Sequence, residues 1–312
     1  MANNAPITPD AAARLMRRAT LAAIAIALLL VVAKTLAWGV TGSVSLLATL
    51  IDSVLDAFAS LVNLFAVRHA LSPADREHRF GHGKAEALAG LGQAAFVAGS
   101  AGFLLLEAGR RVLHPSAAQE TGVGIAVMLF SMAATLALVV YQRHVVKRTG
   151  STAISADALH YRSDLLVNGG VIVALWFSAR GLPGLDPLIA IAIGGYILYS
   201  AWQILRQSLD HLMDRELPDS ERERIIELVL AHPDVLGMHD LRSRRAGTAT
   251  FLQFHLELED ELSLVAAHRI LEAVESTLLE AYPGAEIIIH PDPWSAIEPA
   301  AVQNFDAASQ KA

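Results

Sequence analysis

The chain contains no cysteine. Disulfides and thiolate metal sites are thereby excluded, and any bound metal must be held by histidine, carboxylate or carbonyl oxygen. A His-Glu-x-x-His pair is absent as well, which removes the helix-borne zinc-protease motif. Charge is scarce: Asp, Glu, Lys and Arg make up 18% of the 312 residues, against 54% apolar residues and a mean hydropathy of +0.43. The scarcity is uneven. Residues 1–208 hold 16 Lys and Arg against 11 Asp and Glu, a net of +5, whereas residues 209–312 hold 8 against 20, a net of −12. This asymmetry predicts a membrane domain over 1–208, a soluble domain over 209–295 and a disordered tail over 296–312.

Six apolar stretches are long enough to cross a bilayer, near 18–40, 43–68, 86–113, 120–145, 154–179 and 185–207, since about 20 residues span the hydrocarbon. The first lacks a small-residue cleavage motif and reads as a span rather than a signal peptide. Lys34 lies within it, placed to snorkel. Basic residues flank the spans on one side: Arg14, Arg17 and Arg18; Arg68, Arg76, Arg79 and Lys84; Arg143, Lys147 and Arg148. By the positive-inside rule both termini are cytoplasmic. Arg110 and Arg111 run against that trend, while the first outer turn, 39–42, carries no charge.

Two polar pairs interrupt these spans: Asp52 with Asp56 in the second, His160 with Asp164 in the fifth. At i, i+4 both members of a pair leave one helix face, about 6 Å apart at Cβ. An Asp at membrane depth costs roughly 2.5–3.5 kcal/mol on insertion scales, so such carboxylates point to function. Three carboxylates and one imidazole form a four-ligand cage suited to a divalent cation. Asp157, three before His160, reads as a cap or an entrance group. Gly92, Gly99, Gly102 and Gly194-Gly195 read as close-packing positions.

The soluble part reads as α-β-β-α-β. A helix opens at Pro218–Ser220 and runs to Ala231, strands follow near 239–244 and 250–257, a second helix covers 264–280, and a last strand covers 285–290. His239, His255, His268 and His290 fall in different elements, with Asp292 just after the last. They form either a zinc set or a group of ordinary strand and surface histidines. A third cluster, Asp75, His78 and His82, lies between spans two and three. Gly81 and Gly83 favour a loop there, which either binds metal or faces anionic lipid with its basic residues.

Together, Asp52-x3-Asp56, His160-x3-Asp164 and the loop Phe80-Gly-His82-Gly-Lys84-Ala-Glu86 resemble the cation diffusion facilitator family, in particular its bacterial zinc and ferrous-iron efflux members. The resemblance reaches from span one to Pro293. It implies an all-α six-helix transmembrane domain with a C-terminal α+β, ferredoxin-like (αββαβ) cytoplasmic domain, and a homodimer in the bacterial inner membrane. The transport site would be Asp52, Asp56, His160 and Asp164, and the loop site Asp75, His78 and His82. A cytoplasmic binuclear site at the dimer interface would be His239, His255, His268, His290 and Asp292, with Asp292 bridging. Lys84 and Asp214 match a charged pair between the domains, and Pro291 departs from close members.

The expected function is therefore Zn2+ export, with Cd2+ or Fe2+ as alternative cargo, in exchange for H+, by a transporter rather than an enzyme. Zn2+ would also be bound in the cytoplasmic domain, in a regulatory or structural role. Expected partners are the lipid bilayer, divalent metal ions and a second copy, with no nucleic acid. A membrane-anchored metal sensor is the competing reading, although it gives the buried carboxylates no task. An intramembrane protease is disfavoured, because two aspartates on one helix cannot approach each other as a dyad from opposing helices does.

Overall fold

The computed structural model describes residues 7–42, 44–113, 122–179 and 185–296. The expected tail lies outside the described residues from 297 onward. The chain divides into two compact units, Ala12–Asp210 and the chain from His211 onward together with the first eleven residues.

Six long helices make up the first unit: α1 (Pro9–Thr41), α2 (Val44–Ala70), α3 (Lys84–Leu113), α4 (Gly122–Thr149), α5 (Thr152–Ala179) and α6 (Leu185–Leu212). They run beyond the sequence-based limits at several ends, because hydropathy marks the apolar middle of a span and misses its polar turns. The tight junction of α4 and α5 has a clear local cause. Gly150 takes φ +67° and its N–H bonds to the Val146 carbonyl at 2.8 Å, a left-handed C-terminal cap. Ser151 follows, and its Oγ accepts from Ile154 N at 3.1 Å, capping the next helix.

Among the described residues, α1, α2, α3, α4 and α6 contain segments long and apolar enough to cross a membrane. α5 is not one of them, for it carries Asp157, Arg162 and Asp164 within eight residues. Its neighbours shelter it. Ala153 and Ile154 pack with Met16, Val67 and Val145; Ala156 and Leu159 with Val97, Ala101 and Ile197; Tyr161 with Ala23 and Leu138. Each cluster draws on a different set of helices, so the polar α5 is a central post. Leu21, Leu28, Leu36, Phe58, Phe65, Phe103 and Leu106 are exposed instead on outer helices, as lipid-facing side chains should be.

Close helix approach occurs at one expected glycine, Gly194, and at two others, Gly90 and Gly170. A Cβ at Gly90 would come 2.7 Å from Ser208 Oγ, at Gly170 2.5 Å from Ile193 Cδ1, and at Gly194 2.7 Å from Leu105 Cδ2. Gly92, Gly99, Gly102 and Gly195 meet nothing within 4 Å among the described residues. Spacing alone does not tell which face of a helix is the packed one.

The second unit has the expected order: α7 (Asp219–Leu230), β1 (Gly237–Ala246), β2 (Ala249–Leu258), α8 (Leu264–Ala281) and β3 (Glu286–Pro293). The sheet order is β1-β2-β3, with β1 antiparallel and β3 parallel to the central β2. One face of β2, with Leu252, Phe254, Leu256 and Leu258, is covered by Ile225 and Val229 of α7 and by Ile270, Val274 and Leu278 of α8. Alternation therefore puts Phe251, Gln253, His255 and Glu257 on the opposite, helix-free face.

Candidate metal centres

The intramembrane pairs meet. His160 Nε2 of α5 lies 3.0 Å from Asp56 Oδ1 of α2 and 3.8 Å from Asp164 Oδ2. The imidazole is buried, its ring edge-on to Phe96 at 5.7 Å between centroids. Ligand atoms of Asp56, His160 and Asp164 all lie within 4.8 Å of one another. Asp52 stands apart from this trio and is exposed, so the expected cage of four is a cluster of three here.

Two neighbouring polar groups differ from expectation. Lys34 does not snorkel; its Nζ donates to the Thr49 carbonyl at 3.0 Å and Ser53 Oγ at 2.7 Å. The charges acting on it are those of Asp56, Asp164 and Asp52. Asp157 neither caps α5 nor lines an exposed entrance, because it is completely buried. Gln142 Nε2 donates to its Oδ2 at 2.6 Å and Gln93 Nε2 to its Oδ1 at 3.4 Å.

Between α2 and α3, Asp75, His78 and His82 form a second trio with ligand atoms within 4.8 Å. The segment is a loop, as the glycines suggested. Asp75 Oδ1 accepts from the backbone N–H of His78 at 2.7 Å and Glu77 at 2.9 Å. Those backbone bonds, that of His78 first, hold the Asp75 carboxyl below its ordinary pKa. Its Oδ2 faces His82 Nε2 at 3.3 Å. His82 Nδ1 is buried with no hydrogen-bond partner among the described residues. His69, at the end of α2, packs edge-on against the His82 ring at 4.5 Å between centroids.

The third trio follows from sheet register. His239 pairs with His255 and His255 with His290, while the adjacent row pairs Gly237 with Glu257 and Glu257 with Asp292. Asp292 Oδ2 lies 2.7 Å from His255 Nδ1 and 3.4 Å from His239 Nε2, and these three form the compact cluster. His290 borders it, 3.2 Å from Asp292 Oδ1. His268 is not brought in. It belongs to α8, on the covered face of the sheet, and is exposed beside Glu272 at 3.4 Å. Sequence reading missed Glu257, whose Oε1 lies 2.8 Å from His239 Nδ1. Its i+2 position after His255 was the available signal.

With two imidazoles and one carboxylate the sheet trio offers borderline donors that fit Zn2+. The intramembrane trio, one nitrogen with two carboxylates, suits a divalent cation as cargo.

Residues 20–213 match the family described as the cation efflux transmembrane domain, and residues 217–294 the cation efflux protein cytoplasmic domain. The chain is 50% identical over 292 residues to the cation-efflux pump FieF of Klebsiella pneumoniae, covering 94% of this chain and 97% of that one. FieF of Serratia proteamaculans is 50% identical over 285 residues, covering 91% and 95%. Among solved structures, the zinc form of CzrB is 36% identical and covers 27% of this chain and 98% of that chain, with a TM-score of 0.26. Two adjoining domain matches and full-length relatives at this identity make the chain an integral membrane transporter, not an enzyme, and a member of the cation diffusion facilitator family.

Proposed function

We propose that the chain exports a divalent metal cation, Zn2+ foremost with Cd2+ or Fe2+ as alternative cargo, from the cytoplasm in exchange for H+. The observation that carries the reading is the 3.0 Å approach of His160 to Asp56. It joins the polar pairs of two helices inside an otherwise apolar unit. The names of the FieF relatives support cation efflux. One imidazole among carboxylates favours Zn2+ over ions that prefer all-oxygen shells.

Exchange follows from the ligand chemistry. A metal needs deprotonated ligands, so loading expels protons and reprotonation favours release. His160 is the natural proton carrier, since the ordinary imidazole value lies nearest neutrality. Asp52, one turn away, is a fourth ligand that joins when the cation enters. The transport domain is taken as 1–208 and the cytoplasmic domain as 209–295, with both termini on the cytoplasmic side of the bacterial inner membrane. In a homodimer, His268 reaches the His239–His255–His290–Asp292 face of a second copy, where bound Zn2+ screens the acidic surfaces.

Proteoliposome flux tests the reading. Asp56→Ala abolishes flux while metal binding by the 209–312 fragment persists; full flux in that variant would remove the proposed pathway. A metal sensor without transport predicts no flux in the unmodified protein either.

A further inference from the structure

We propose that His69 is the fourth ligand of the α2–α3 loop site, completing a closed centre of three imidazoles and one carboxylate with Asp75, His78 and His82. The inference rests on the reading of that loop as a metal site. Three protein ligands leave a tetrahedral ion one position short, and structural zinc centres are closed by four. His69 borders the trio from outside the loop. Its ring meets His82 at 4.5 Å between centroids, and the His82 ring meets His78 at the same 4.5 Å. The three imidazoles thus form a continuous row with His82 at its middle.

His82 is the buried member, and its Nε2 faces the Asp75 carboxylate at 3.3 Å. His69 is exposed on the last turn of α2, so its side chain can turn without disturbing a packed core. The backbone there is fixed: Ser72 N bonds to the His69 carbonyl at 2.9 Å, closing the helix end. A metal held by His69 and the loop would therefore fasten residues 75–82 to the same helix that carries Asp56, 13 residues or about 20 Å earlier. Zn2+ fits this donor set, and Co2+ is its spectroscopic substitute.

The test uses the full-length protein in detergent with Asp56→Ala and Asp292→Ala, which silence the other two trios. Co2+ titration should then give the strong visible ligand-field absorption of a tetrahedral ion. His69→Gln and His69→Leu should each lower Co2+ affinity by about 100-fold or more, beyond the 10- to 100-fold typical of an outer hydrogen-bond partner, and should collapse the tetrahedral band. If both His69 variants keep band and affinity while His78→Ala loses them, His69 is no ligand and the three-residue loop site stands. If the starting protein binds no Co2+ at the loop, the loop reading itself fails and the His69 assignment with it.

Discussion

Gly237 and Glu257 face each other across β1 and β2 so closely that a Cβ on Gly237 would lie 2.1 Å from Glu257 Oε2. The carboxylate occupies the space of the missing side chain and from there holds His239 Nδ1. Orienting partners of this kind typically tune metal affinity by 10- to 100-fold. Glu257→Gln is expected to weaken Zn2+ binding at the sheet face by roughly tenfold. Gly237→Ala should do the same by displacing the carboxylate, and calorimetry on both variants checks this.

The Lys34 amine, bonded to Ser53 Oγ, carries its charge within electrostatic range of Asp56, Asp164 and Asp52. Lys34→Met removes that charge, so divalent cations should bind the intramembrane site more tightly, by about tenfold for a change near 1.4 kcal/mol. Release, and with it flux, should slow. Comparing equilibrium binding with turnover in vesicles separates the two effects.

His160 supplies the only nitrogen of the intramembrane trio. His160→Asp creates an all-oxygen set, which should lower the preference for Zn2+ and Cd2+ over Mn2+. Competitive uptake into vesicles reads the ratio directly.

Asp157 is satisfied by two glutamine amides inside the helix bundle. Asp157→Ala strands those donors and should destabilise the protein by about 1–3 kcal/mol. Asp157→Asn, which keeps the shape and one acceptor oxygen, should lose less. Thermal unfolding in detergent orders the two variants.

The sequence displayed the element order well, since period-2 and membrane-length apolar patterns survive into the structure almost unchanged. It also displayed His160 with Asp164 and Asp56, because i, i+4 spacing has a fixed meaning on a helix. Asp52 shows the limit of that meaning, as its i, i+4 spacing leaves it outside the trio of Asp56 while the same spacing keeps Asp164 inside that of His160. His268 shows another limit: a histidine in the right domain lies on the covered side of the sheet, which only tertiary packing decides. Asp157 looked like a cap because Gln93 and Gln142, its partners, lie 64 and 15 residues away.

Tyr282 follows α8, and its hydroxyl donates toward the Glu221 carbonyl at 3.5 Å. Burial first, then hydrogen bonding and the charge of Glu221, push its phenol up to about 12, with Arg224 and Arg245 opposing. An unfolded tyrosine ionises near 10, so the folded state holds this proton more tightly. Its contribution to stability is complete below about pH 10 and is lost as pH rises through about 12. Tyr282→Phe should flatten that alkaline loss in denaturant titrations of the 209–312 fragment.

The seclusion of α5 also bears on how the protein is made. A helix with Asp157, His160, Arg162 and Asp164 in its first half is a poor candidate for entering lipid alone. Several of its polar groups are matched by Gln93, Gln142, Ser60 and Asp56 on helices synthesised before it, while Arg162 donates to the Tyr196 hydroxyl of α6, synthesised after it. Partition of α5 during biosynthesis is therefore expected to depend on α2, α3 and α4. Glycosylation mapping of an α5-only insert should show poor integration, restored when the preceding helices are present.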